Sequence, residues 1–228
     1  MSASVADYLR VDDVLKKVDV PEGEVDGAKV ERFEIKLTTV DLARASMKGR
    51  GLTKDGTYTR LVIDGRLWMS DTDDERKDHM DAVAQALALH NSGRKDIRVL
   101  IGGLGIGMVV AAMIRIPGVS WVDVVESDER VVALVGDHYR QMAKRHGVHL
   151  NIVTGDMMAP LSKLFGRDDT WDVAWFDIWI GLDTDNLAEM ATLARRYTRR
   201  CDWMGFWGKD TLKRTRERER RYRWWVDL

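Results

Sequence analysis

The stretch Val99-Leu100-Ile101-Gly102-Gly103-Leu104-Gly105-Ile106-Gly107 constrains this chain more than any other. Apolar residues run into a glycine cluster, and Met108–Ile114 beyond it is apolar and helix-like. That order is a strand feeding a tight turn that opens a helix. Glycine lets the turn take positive φ and lets the backbone approach a ligand where a Cβ would collide. The helix start offers free N–H groups. Spacing narrows the ligand. The dinucleotide pattern G-x-G-x-x-G fails, because Met108 stands at the third glycine position counted from Gly103. The phosphate loop G-x-x-x-x-G-K-S/T fails as well, because Met108-Val109 follow Gly107. What remains is G-x-G-x-G, a turn for a ligand without pyrophosphate.

The rest of the chain supplies a sheet for that turn. Val30–Lys36 and Tyr58–Ile63 are β-like, and Asp64-Gly65 is a two-residue hairpin signal returning the chain as Arg66–Met69. From Asp73 the spacing of Met80, Val83, Ala84 and Leu87 predicts a helix that Ser92-Gly93 stops near Asn91. Strands are then expected at Arg98–Ile101, Trp121–Val125, Leu150–Val153, Val173–Phe176 and Cys201–Trp207. Between them, Val131, Leu134, Val135 and Met142 share one helix face. A later helix opens near Thr184 and buries Leu187, Met190, Ala191 and Ala194. Strands alternating with helices mean βαβ units, hence a parallel sheet with helices on both faces. The expected organisation is an antiparallel β lobe over 1–72, a Rossmann-like α/β domain over 73–208 and a charged helix or tail over 209–228. The dense Arg, Lys and Glu of Lys209–Arg223 read as a solvated helix; interspersed glutamates weaken a nucleic-acid-contacting reading. Trp224-Trp225 could dock onto the sheet or a second subunit.

Ligands in such sheets bind outside the carboxyl ends of the strands. Four successive strand ends here carry the glycine turn, Glu126, Asp156 and Asp177. An acid at the second end, roughly 20 residues past the glycines, is placed to accept ribose hydroxyl hydrogens. At the third, Asp156 can accept from an adenine amine while Met157 packs on its ring. These positions describe an adenosine site.

The same residues resemble the class I S-adenosylmethionine-dependent methyltransferase fold, and more narrowly its polyamine aminopropyltransferase (spermidine synthase) branch, over about residues 57–207. The resemblance includes Ile63-Asp64-Gly65-Arg66-Leu67-Trp68 with Asp71, Asp73 and Asp74, then the glycine loop, Glu126-Ser127-Asp128, Gly155-Asp156 and Trp171-Asp172-Val173 with Asp177. It implies S-adenosylmethionine as cofactor, Glu126 on its ribose, Asp156 on its adenine and Asp177 beside the reacting amine. Trp68, Lys77 and Ile180 stand where that branch has a glutamine, a tyrosine and a second carboxylate. A lysine and two apolar residues read against a polyamine acceptor. The usual closing β-hairpin is expected to be short or missing, which leaves a sheet edge open.

The expected site therefore comprises Gly102, Gly103, Gly105, Gly107, Glu126, Ser127, Asp156 and Met157 toward the cofactor. Asp177 orients or deprotonates the acceptor, and Trp68, Asp78, His79 and Trp179 are pocket residues. No metal is expected: Cys201 is the single cysteine, and Asp183, Asp185 and Asn186 read as a helix cap. The expected activity is methyl transfer to a small molecule. The alternatives are aminopropyl transfer, cleavage or cyclisation of the cofactor releasing methylthioadenosine, and a non-catalytic cofactor-sensing or assembly protein. Asp177-Ile178-Trp179-Ile180 replaces the Asp/Asn-Pro-Pro-Tyr of base methylation. A formal net charge of -1 gives no global field toward nucleic acid or acidic membranes. No basic-then-apolar leader opens the sequence, and no run approaches the ~18–20 apolar residues of a membrane span. A cytoplasmic protein is expected, with a homodimer as its assembly.

Overall fold

The computed structural model describes residues 2–38 and 53–226, with side chains through residue 222. Two sheets organise it. The first is antiparallel, in the order β1 (Gly23–Val25), β2 (Ala28–Ile35), β3 (Gly56–Ile63), β4 (Arg66–Ser70). Asp64 and Gly65 both take positive φ, 50° and 75°, so the anticipated hairpin is a tight two-residue turn with Ile63 opposite Arg66. A second Asp-Gly turn, Asp26-Gly27, joins β1 to β2 and has no counterpart in the sequence expectation. Two short helices, α1 (Val5–Leu9) and α2 (Val11–Val14), precede this sheet.

The second sheet is fully parallel, ordered β7-β6-β5-β8-β9. Its strands are β5 (Ile97–Gly102), β6 (Val119–Glu126), β7 (His149–Thr154), β8 (Trp171–Phe176) and β9 (Cys201–Phe206). Trp207 lies just beyond β9. Strand β8, beside the central β5, is buried along its whole length and β5 nearly so, as a sheet covered on both faces requires. One face packs on α4 (Met80–Asn91), α5 (Met108–Arg115) and α6 (Glu129–His146). The other packs on α7 (Leu161–Leu164), α8 (Asn186–Tyr197) and Leu212 of α9 (Lys209–Val226). Seven of the eight residues of α5 are buried, so this helix is apolar all round because it lies between the parallel sheet and the N-terminal lobe. Val30, Leu61 and Ile63 of the lobe join the same core as Val99, Ile101 and Val124.

Arg130 ties the two sheets by charge. Its guanidinium spans Asp128 at the start of α6, Asp64 in one hairpin turn and the carbonyl of Asp26 in the other.

Two expectations need correction. The helix from Asp73 to Asn91 is two helices, α3 (Asp73–Asp78) and α4, broken at His79 with φ −102° and ψ 0°. The break lets the histidine turn inward where a continuous helix would carry it past. In α8, Ala191 is exposed and Ala194 only half-buried, while Leu193 and Tyr197 are buried, so the apolar stripe runs 187, 190, 193, 197. The closing hairpin, expected to be short or missing, has no strand among the described residues, and the chain enters α9 after β9. Trp224-Trp225 lie outside the described side chains.

Candidate active site

The chain lays β5, β6 and β7 outward in turn, then crosses back to place β8 against the other side of β5. The strand order reverses between β5 and β8, and a crevice opens at their carboxyl ends. Single backbone bonds extend each strand into its loop: Gly103 to Val125, Gly155 to Glu126, Asp177 to Gly102 and Trp207 to Phe176, all 2.8–2.9 Å. A cavity of about 360 Å³ lies there, reached by the loops after β5, β6, β7, β8 and β9 and by β4 from the lobe.

Glycine is required in the first of these loops, for a reason the sequence does not reveal. Gly103, Gly105 and Gly107 have φ of 91°, 50° and 77°. A Cβ on Gly103 would overlap the carbonyl oxygen of Asp177, one on Gly105 the sulfur of Met69, and one on Gly107 the ring of Tyr139. The close approaches are to the protein itself. The loop's N–H groups are likewise engaged internally. Leu104 donates to Glu126 Oε2 at 2.8 Å and Gly105 to the same atom at 3.4 Å. Ile106 donates to Met69 Sδ at 3.2 Å, Gly107 to Leu104 and Gly103 to Val125.

Glu126 is thereby drawn into the loop and 8% exposed, with its Oε1 accepting the Asp128 N–H at 2.9 Å. A carboxylate has about four lone-pair sites; the Leu104 and Asp128 N–H groups take two at 2.8 and 2.9 Å, while the Gly105 N–H at 3.4 Å and the Ser127 hydroxyl at 3.5 Å are long contacts that a pair of ligand hydroxyls can replace. Ser127 beside it is exposed. Asp156 is exposed, one oxygen accepting the Met158 N–H at 2.7 Å, while Met157 is buried beneath the pocket floor.

Opposite Glu126, Asp177 meets His79. The two come from distant elements, with Nε2 of His79 3.8 Å from Oδ2 of Asp177 and only 20% of the Asp177 side chain exposed. Burial, then Glu75, Asp78 and Glu126, push the Asp177 carboxyl up to about 7. Burial alone pulls His79 down to about 4, which leaves a neutral imidazole edge-on to Trp175. His79 Nδ1 and Trp175 Nε1 are buried without a hydrogen-bond partner. Glu75 of α3 also faces the cavity, accepting from the Ser70 N–H and hydroxyl; burial raises its carboxyl above the usual range.

Of the sequence-derived residues, Gly103, Gly105, Glu126, Ser127, Asp156, Met157, Asp177, Trp68, His79 and Trp179 line this one cavity. Gly102 ends β5 beneath it, Gly107 caps α5 against Tyr139, and Asp78 accepts from Trp207 Nε1 at 3.3 Å outside the lining. Glu75, Met69, Trp175 and Trp207 also line the cavity without having been singled out as site residues. The only available signal was the i, i+4 spacing of Glu75 and His79, and it crosses a helix break. Asp71, read as part of an acidic turn, is fully buried and accepts from the Val18 and Thr59 N–H groups. It holds the lobe together. No group of three or more His, Cys, Asp or Glu side chains placed to hold a metal ion occurs among the described residues, and no helix there is long and apolar enough to cross a membrane.

No protein-family model matches the sequence, and none of the curated proteins matches it. Parts of solved methyltransferase structures are similar. A protein described as an O-methyltransferase from Klebsiella pneumoniae is 21% identical over 51% of this chain and 49% of that one, with a TM-score of 0.37. One described as a sarcosine dimethylglycine methyltransferase from Galdieria sulphuraria is 17% identical over 45% and 35%, with a TM-score of 0.33. Phosphoethanolamine N-methyltransferase 1 of Haemonchus contortus, solved with S-adenosylhomocysteine, is 17% identical over 51% and 24%, with a TM-score of 0.34. The chain spans less than half the length of each.

Proposed function

We propose that this protein binds S-adenosylmethionine across the carboxyl ends of β5, β6 and β7 and transfers its methyl group to a small-molecule acceptor. One observation carries this. Among the described residues the cavity is lined by Glu75, Glu126, Asp128, Asp156 and Asp177 and by no lysine or arginine, and the glycine loop's N–H groups are already taken. A pyrophosphate would meet carboxylates and no cationic side chain, so NAD and ATP fit poorly. A nucleoside bearing a sulfonium is drawn in by the same charge.

The residues present fit that cofactor. Glu126 would accept from the ribose hydroxyls with its outward edge, and the free oxygen of Asp156 from the adenine amine. Met157 supplies the apolar floor. When bound, the cofactor supplies an already activated methyl group. The chain then has to orient a nucleophile, exclude water and take a proton. Trp68, Trp179 and Trp207 wall the cavity, and Asp177 is the group held near neutrality for proton transfer.

Calorimetric titration with S-adenosylmethionine, NAD and ATP tests the binding half. Tight binding of NAD or ATP, with none of the sulfonium compound, sinks it. Incubation with S-adenosylmethionine and metabolite extracts tests the chemistry through the nucleoside product, by mass. S-adenosylhomocysteine marks methyl transfer, methylthioadenosine marks aminopropyl transfer or breakdown of the cofactor, and binding without turnover marks a sensor.

A further inference from the structure

The cavity's acids differ in what already answers their charge. Asp128 is paired with Arg130 at 2.7 Å. Glu126 is met by the N–H groups of Leu104 and Asp128. Asp156 stands exposed on the rim, where water screens it. Glu75 and Asp177 remain. Among the described residues neither has a lysine or arginine within ion-pair distance, and His79, kept neutral by burial, supplies no charge. Each carboxyl sits above its usual range, Asp177 facing Glu75, Asp78 and Glu126, and Glu75 facing Asp78 and Asp71. Half-buried acids crowded by other acids hold a proton or take up a cation. Beside them stand Trp68, Trp175, Trp179 and Trp207, whose ring faces attract cations.

We infer that the methyl acceptor is a small amine carrying one ammonium group, seated between Glu75 and Asp177 against these tryptophans. The inference rests on the cofactor reading above, in which Glu126 and Asp156 are occupied by neutral hydroxyls and an amine. Glu75 and Asp177 line the same cavity, so the two form one seat, where a diamine needs two. The proton and electrons balance. The ammonium passes a proton to the Asp177 carboxylate, which frees the nitrogen lone pair. That pair forms the bond to the methyl carbon as the carbon–sulfur bond breaks, and its electrons stay on sulfur, now a neutral thioether. The methylated nitrogen carries the positive charge, and Asp177 returns its proton to solvent.

The test is calorimetric binding of butylammonium at pH 7 with saturating S-adenosylhomocysteine, which has no methyl to give. Butanol, butyrate and 1,4-diaminobutane serve as comparisons, in two buffers of different ionisation heat. Butylammonium is expected to bind with release of a proton, and butanol and butyrate at least about tenfold more weakly. Glu75→Gln and Asp177→Asn should each weaken butylammonium about tenfold or more while S-adenosylhomocysteine affinity stays within about twofold, which also certifies folding. Equal binding of butanol or butyrate, tighter binding of the diamine, or no effect of either substitution overturns the amine seat. Failure of S-adenosylhomocysteine to bind the wild type, with the preference for butylammonium intact, removes the cofactor reading and leaves the seat standing.

Discussion

Nε2 of His79 lies 3.8 Å from Oδ2 of Asp177, which joins the break between α3 and α4 to the end of β8. The imidazole is 3% exposed and neutral, and the carboxyl is held close to neutrality. A pair of this kind has a different proton count in the folded and unfolded chain. Its effects are measurable in turnover and in stability.

For turnover, Asp177 accepts a proton only when ionised. The rate of S-adenosylhomocysteine formation is expected to rise with pH and level off above about 7. Asp177→Asn should lower it about 10²–10⁴-fold and abolish the limb near 7, with cofactor affinity retained.

Stability reports the same two groups with opposite signs. Asp177 keeps its proton in the folded chain up to about 7, so between the ordinary carboxylate range and 7 it lowers stability as pH rises. His79, lowered to about 4 from 6.5, is protonated first in the unfolded chain, so stability rises with pH across that window. In the wild type the two oppose each other. In Asp177→Asn the opposition from Asp177 is removed, and urea unfolding should show stability climbing more steeply than in the wild type, by up to on the order of 2–3 kcal/mol between pH 4 and 6.5. A wild-type profile as steep as the variant's contradicts this.

Glu126 is expected to govern affinity. Replacing it with alanine removes the ribose acceptor and frees the N–H groups of Leu104 and Asp128. Calorimetry should show S-adenosylmethionine binding weakened about 10–100-fold, the worth of a charged hydrogen bond.

Gly107 is expected to be structural. Gly107→Ala would need positive φ and would drive its Cβ into the Tyr139 ring, whose hydroxyl donates to the Ile106 carbonyl at 2.6 Å. A loss of about 2–4 kcal/mol in urea unfolding is expected. Gly181→Ala, in open space, should change stability by less than about 0.5 kcal/mol.

The sequence by itself determined the alternation of strands and helices, the glycine turn after β5, the Asp64-Gly65 hairpin and the acids at the strand ends. Each depends on neighbours close along the chain: a period, a turn geometry, a residue after an apolar run. Only the tertiary structure decided what those residues meet. Two of the loop's glycines yield space to Met69 and Tyr139, residues 36 and 32 positions away, and Glu126, expected on a ribose, also closes on the glycine loop. The inward turn of His79 at a helix break, and the placing of Glu75 and Asp177, a hundred residues apart, around one cavity, arise with the packing of α4 against β8. Local patterns record propensity and one-sided burial. Which buried charge lacks a counter-charge depends on every element brought to the same cavity, and no stretch of sequence contains that sum.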